Sequence, residues 1–198
     1  MRLTRTPRVS GITLSELLIA MVVGVLLVSL ISLCFQTSAA VKAEQTQVLR
    51  NMKQLWQLTD RMARDGESSA KTGWPGDLPG GFSSWSRDLV AGGYTTTNDL
   101  CRLLSSELRV TPPTHLPTEN VNAVLVYEVK KNSDGATLFL SSANFTNTPQ
   151  GGIPPLDQAQ PFGQDGFVVF HRRGDGTILR NALVGEKNWV GLYAPPCD

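Results

Sequence analysis

The sequence predicts an α+β fold: a long N-terminal helix, apolar in its first half and amphipathic in its second, packed on a C-terminal antiparallel sheet of about four strands. Three observations lead there. From Leu17 to Phe35 an apolar run of 19 residues carries neither charge nor proline. From Gln36 to Arg64 there is no glycine or proline, and Ala, Lys, Glu, Gln, Leu and Met, all good helix formers, dominate. Beyond Gly66, loops rich in Gly and Pro separate short β-rich segments. Helix first and strands afterwards is the order of an α+β chain.

The first element is the apolar run. Nineteen residues rising ~1.5 Å each reach about 28 Å, close to the roughly 30 Å hydrocarbon thickness of a bilayer. Gly24 is its one intrinsically weak helical position. Arg2, Arg5 and Arg8 precede the run, and no acid accompanies them. Positive charge before an apolar helix predicts that this end stays in the cytoplasm and that the rest is translocated. A secretory signal peptide is the competing reading, with Ser38-Ala39-Ala40 as its small-residue cleavage site. The run is longer than the 7–15 apolar residues usual in such signals.

The second element continues the helix. Val41, Val48, Met52, Leu55 and Met62 recur at helical spacing, with Leu49, Trp56 and Ala63 beside them. This stripe needs a globular partner to cover it. Lys42, Glu44, Arg50, Lys53, Asp60 and Arg64 form the opposite, solvated face. Asp65-Gly66 supplies a stop, with Gly66 as a left-handed cap.

A linker follows to Gly81, including the turn-forming Trp74-Pro75-Gly76-Asp77. Ser83 or Ser84 caps a helix that ends before Gly92-Gly93, and Thr97 or Asn98 caps another through Leu104. Pro112, Pro113 and Pro117 then mark a loop. Val121 to Lys130 and Ala136 to Ser142 pair around a turn at Asn132-Ser133-Asp134-Gly135. Gly166 to Arg172 and Thr177 to Asn181 pair around Gly174-Asp175-Gly176. A last short strand is expected around Trp189 to Tyr193.

Glu16 stands at the mouth of the apolar run and is the sole acidic residue before Ala43. It falls five residues after Gly11, behind a short basic head. This arrangement resembles the N-terminus of type IV prepilins and type II secretion pseudopilins. The resemblance covers about 25 residues. It departs from the family pattern at Ile12, where phenylalanine is usual, and in lacking a proline within the helix.

The resemblance implies a leader, residues 1–11, cut by a prepilin peptidase after Gly11. Ile12 becomes the new and N-methylated first residue, and Glu16 the fifth. It implies a membrane-spanning and assembly helix over 12–35, its amphipathic continuation over 36–65, and a globular periplasmic or extracellular domain over 66–198. A buried unpaired carboxylate is costly, and intramembrane charges need partners. The α-amine of Ile12 on a neighbouring subunit would pair with Glu16. Alternatively, Glu16 sits solvated in the headgroup layer, favoured by the helix dipole.

Partners implied by the resemblance are copies of the chain, the peptidase, an assembly platform protein and a motor ATPase. The expected location is a single-pass inner-membrane precursor with a cytoplasmic N-terminus, then a filament in the periplasm or at the cell surface. A membrane-anchored binding or sensor domain that never polymerises is the alternative. Loss of the three leader arginines turns a net charge of +1 into about −2, which gives no reason to expect a nucleic-acid partner.

Of three cysteines, Cys34 lies in the apolar run as a small hydrophobe. Cys101 and Cys197 fall in the exported part, where disulfides persist. C-terminal disulfides of type IV pilins suggest that these two pair, and two thiols are the other reading. Calcium is considered because some pseudopilins bind it late in the fold. Asp157, Asp165 and Asp175 provide oxygens but no dense cluster, so no metal or other cofactor is assigned. No catalytic residues are assigned either. His115 and His171 lie outside any hydrolase, zincin or phosphate-loop motif, and Ser68-x-x-Lys71 lacks its companion motifs. Asn144-Phe145-Thr146 is a sequon that reads as a surface loop. Arg173-Gly174-Asp175 reads as a hairpin turn.

Overall fold

The computed structural model describes residues 14–67, 73–105, 123–145, 162, 165–179 and 190–197, with the backbone alone for 27–38 and 67. The chain divides into two units, Met1–Ala40 and Val41–Asp198. Helix α1 is Leu14–Glu67. The second unit adds a 3-10 turn (Pro75–Asp77), helices α2 (Gly81–Ala91) and α3 (Thr97–Leu104), and strands β1 (Val124–Val126), β2 (Leu138–Ser142), β3 (Phe167–His171) and β4 (Gly176–Leu179). The strands form one antiparallel sheet in the order β1-β2-β3-β4. The fold is therefore α+β around a four-stranded antiparallel sheet.

The predicted stripe on residues 41–67 supplies one wall of the core. Val48, Met52 and Leu55 are fully buried, Met62 and Ala63 nearly so, and Leu49 and Trp56 pack against them. Three polar residues of this part are also buried: Gln45, Asn51 and Thr59. Each donates to a backbone carbonyl. Gln45 Nε2 reaches Asp165 O at 3.3 Å, Asn51 Nδ2 reaches Ser105 O at 3.4 Å, and Thr59 Oγ1 reaches Leu55 O at 2.8 Å. The Thr59 hydroxyl also accepts from the indole of Trp85 on α2 at 3.1 Å. Trp56 Nε1 donates to Arg172 O at 2.7 Å. Buried polar groups left without partners are costly, so these bonds dictate which segments lie against the helix.

Helix ends differ from expectation in three places. Gly66 is helical and buried, and α1 runs on to Glu67, so no left-handed cap forms there. A glycine inside a helix costs only about 1 kcal/mol relative to alanine, too little to end one that packing supports. Helix α2 begins at Gly81, after Gly80 in the left-handed region at φ 98°, with no side-chain cap. Ser83 and Ser84 instead donate to Gly80 O and Pro79 O. Helix α3 is capped by Thr96 rather than Thr97 or Asn98. Its hydroxyl accepts from Asp99 N at 3.1 Å and donates to Asp99 Oδ2 at 2.7 Å. The Thr96 hydroxyl thus satisfies one of the otherwise unpaired N–H groups of the first turn, as an N-cap does.

Both faces of β2 and β3 are buried. Phe170 faces Trp56, their ring centroids 6.5 Å apart, while Phe139 meets Trp74 edge-on at 5.2 Å and Trp85 at 6.4 Å. The β1–β2 connection is longer than a tight hairpin and is built from two turns, closed by Ser133 N to Lys130 O and Thr137 N to Asp134 O. The outer edge of β1 is taken by the C-terminal segment. Cys197 N donates to Val126 O at 2.9 Å, and Glu128 N donates to Pro195 O at 2.8 Å. The expected last strand is reduced to a parallel bridge between Leu192 and Thr137; Trp189 lies outside the described residues.

Candidate functional site

The most unusual surface among the described residues is on the first unit. Leu17, Leu18 and Ile19 are 54–62% exposed, and Met21, Val22 and Val23 are 47–67% exposed. Successive helical residues turn by about 100°, so these two runs of three spread large apolar side chains over about 240° of the helix, and Glu16, Ala20 and Gly24 occupy the remaining sector. An amphipathic surface helix would have an apolar stripe of only about 100°. Full burial of one Leu, Ile, Val or Met is worth about 1.5–3 kcal/mol. This segment therefore gains strongly from any apolar surroundings that enclose it.

Glu16 lies in the first turn of this helix and is exposed. Its charge is favoured there by the positive end of the helix dipole. Gly11 and Ile12, the predicted cleavage and methylation positions, lie outside the described residues. Among the described residues no helix is long and apolar enough to cross a membrane. The predicted span from Leu17 to Phe35 falls partly on positions 27–38, whose side chains are also outside them.

In the second unit the charged residues form braces. Arg172 donates to the carbonyls of Lys130 and Lys131 and lies 5.3 Å from the Trp74 ring centroid. Tyr94 donates to Asp65 Oδ2 at 3.1 Å, and Arg61 lies over its ring. Burial and the neighbouring Asp65 carboxylate push the Tyr94 hydroxyl above its usual range. Arg173-Gly174-Asp175 makes the β3–β4 turn, closed by His171 N to Asp175 O. At Gly174 φ is +94°, and a Cβ would lie 2.7 Å from the Trp56 ring, so only glycine fits. Arg173 grips Asp175 with two bonds, at 2.5 and 2.8 Å, and holds its carboxyl below the usual range.

Asp175, considered as an oxygen donor for calcium, is thus committed to Arg173. Asp165 contributes its backbone to Gln45 and Phe162, and Asp157 and His115 lie outside the described residues. Among those residues no group of three or more His, Cys, Asp or Glu side chains could hold a metal ion. Cys101 and Cys197 are not bridged. Cys101 sits on the partly exposed side of α3, next to the buried Leu100, and burial raises its thiol pKa. Cys197 is buried against β1, its N–H on Val126 O.

Asn144 corrects the sequon reading. It is 2% exposed, and its Nδ2 donates to Gly166 O at 2.7 Å, so the side chain belongs to the interior rather than to a surface loop. His171, read from sequence only as a strand residue, is buried with both ring nitrogens close to oxygen acceptors. No periodicity in the chain signals that arrangement. Compared with known proteins, the chain matches no family model, no curated protein and no solved structure.

Proposed function

We propose that this chain is a structural subunit of a filament of the type IV pilus or type II secretion pseudopilus kind. A prepilin peptidase trims the precursor after Gly11, Ile12 becomes the methylated N-terminus, and the mature chain polymerises through one long N-terminal helix. One observation carries the reading. A single acid, Glu16, stands five residues after Gly11 at the start of a segment whose exposed apolar side chains cover about two thirds of the helix surface. Such a segment suits a bilayer before assembly and the packed axis of a filament afterwards. Four-stranded antiparallel architecture behind the amphipathic part of the helix is compatible with the globular domain that the family resemblance implies.

In this reading Glu16 meets the α-amine of Ile12 on an adjacent copy. Breaking a buried ion pair costs about 3–5 kcal/mol because one charge remains uncompensated. Only the stagger that forms the pair is then stable, so the pair sets the register of the polymer. The platform protein and the motor ATPase act during assembly, from the cytoplasmic side of the inner membrane.

The mass of the mature N-terminus tests the proposal, measured on protein from cells with and without a prepilin peptidase. A chain beginning at Ile12 only when the peptidase is present is the expected result. A start at Val41 would instead mean a secretory signal cleaved after Ala40. Retention of Met1 in both cells would mean a permanent anchor on a non-polymerising domain. Either of these outcomes overturns the proposal.

A further inference from the structure

The C-terminal segment 190–197 is held on the sheet largely by backbone bonds. Leu192 N donates to Ala136 O at 2.9 Å and Leu138 N to Leu192 O at 3.0 Å, while Pro195 O and Cys197 N occupy the outer edge of β1. One side chain closes its near end. His171, at the end of β3 and 5% exposed, has Nε2 3.2 Å from Val190 O. Gly191 packs closely against the ring: φ there is +95°, and a Cβ would come within 2.6 Å of His171 Cδ2 and 2.5 Å of Ala136 O. On the other side Nδ1 is 3.4 Å from Asp175 Oδ2, yet this buried nitrogen makes no hydrogen bond.

We propose that His171 is a proton-sensitive latch that holds the C-terminal segment 190–197 on the sheet. The ring lies between two acceptors, a carbonyl oxygen and a carboxylate. A neutral imidazole has one N–H and serves one of them, leaving the other acceptor facing a lone pair. The imidazolium carries a second N–H, on the side of the carboxylate oxygen 3.4 Å away, and its positive charge draws that carboxylate in; a hydrogen bond to a carboxylate from a charged donor is about twice as strong as a neutral one. Protonation therefore tightens the contact between turn, ring and segment, and loss of the proton loosens it.

The charged groups around the ring fit this role. Asp175 lies on the same turn, and Arg173, which grips it, is itself under the field of Asp134 in the β1–β2 connection. β2 carries no titratable residue, and α1 approaches the turn through Trp56, which lies over Gly174. From the C-terminal segment, Val190 and Gly191 meet the ring, whereas Tyr193 is 43% exposed and Cys197 sits at Val126. Release would take Pro195 O away from Glu128 N and Cys197 N away from Val126 O. The inference stands independently of filament formation.

Hydrogen–deuterium exchange of the full-length chain in detergent micelles tests it, read on peptides from 190–197 at about pH 6 and about pH 8 and corrected for the intrinsic rate. The expected result is exchange about fivefold slower at the lower pH, the ratio that separates a charge-assisted from a neutral hydrogen bond. Peptides from β3 should show no matching change. The ratio should fall to about one in His171→Gln and in Asp175→Asn. A wild-type ratio near one, a ratio that persists in both variants, or equal slowing in β3 would overturn the latch. Should His171→Gln lose the fold, Asp175→Asn, on a partly exposed turn residue, decides alone.

Discussion

Residues 14–26 and 41–67 share helix α1 and differ in how their apolar side chains are spent. In the first region Leu17, Leu18 and Ile19 are all more than half exposed. In the second, Val48, Met52 and Leu55 are fully buried, while Lys42, Arg50 and Lys53 between and beside them face solvent. The second region is satisfied within its own chain. The first is not, and its apolar side chains are available to something outside the chain. The contrast separates residues that maintain the domain from residues that its core does not use.

The largest expected effect comes from substituting leucine by alanine in each region. Leu55→Ala should destabilise the globular unit by about 2–5 kcal/mol, through lost burial and a residual cavity. Leu18→Ala should change that unit's stability by less than about 0.5 kcal/mol, as an exposed site does. Denaturant unfolding followed by tryptophan fluorescence measures both. Equal effects at the two sites would erase the distinction between the regions.

A smaller effect is expected at the cap of α3. Thr96→Ala should cost about 1 kcal/mol by removing the hydroxyl from Asp99 N. Thr97→Ala, one residue on, should cost a few tenths at most, within the range of ordinary surface substitutions. Thermal unfolding of the two variants sharpens where the helix begins.

The smallest expected effect is at acid pH. Arg173 lowers the carboxyl pKa of Asp175 in the folded chain. A depressed folded pKa contributes stability above the unfolded value of about 3.9, and that stability is lost as pH falls below it. The side chain is 43% exposed, so solvent screening keeps the loss under about 1 kcal/mol. The difference in stability between wild type and Asp175→Asn should therefore shrink as pH falls below about 4.

Periodic features were legible in the chain and tertiary ones were not. The stripe through Val48, Met52 and Leu55 and the strand pairs at 124–142 and 167–179 follow from local spacing, which needs no knowledge of partners. Thr59, Gln45 and Asn51 occupy inward positions because distant groups require them: Trp85, Asp165 O and Ser105 O, respectively. Nothing near them in sequence announces this. Asn144 misled for the same reason, since Gly166 O draws it inward. Thr96 cannot be told from its neighbours by sequence, because four residues in a row, Thr95 to Asn98, all have capping chemistry. The pairing of 190–197 with β1 and the Ala136–Leu138 stretch joins segments far apart in sequence, one of them through a lone parallel bridge. At the apolar segment, composition and the position of Glu16 were readable, because both are local.

Glu16→Ala tests most directly whether the first region exists for assembly. Membrane insertion of the variant is followed by resistance to alkaline extraction, and filament yield by electron microscopy of sheared material. Insertion equal to wild type with filaments reduced to background is the outcome expected if Glu16 pairs with a neighbouring α-amine. Wild-type filament yield from the variant would contradict it.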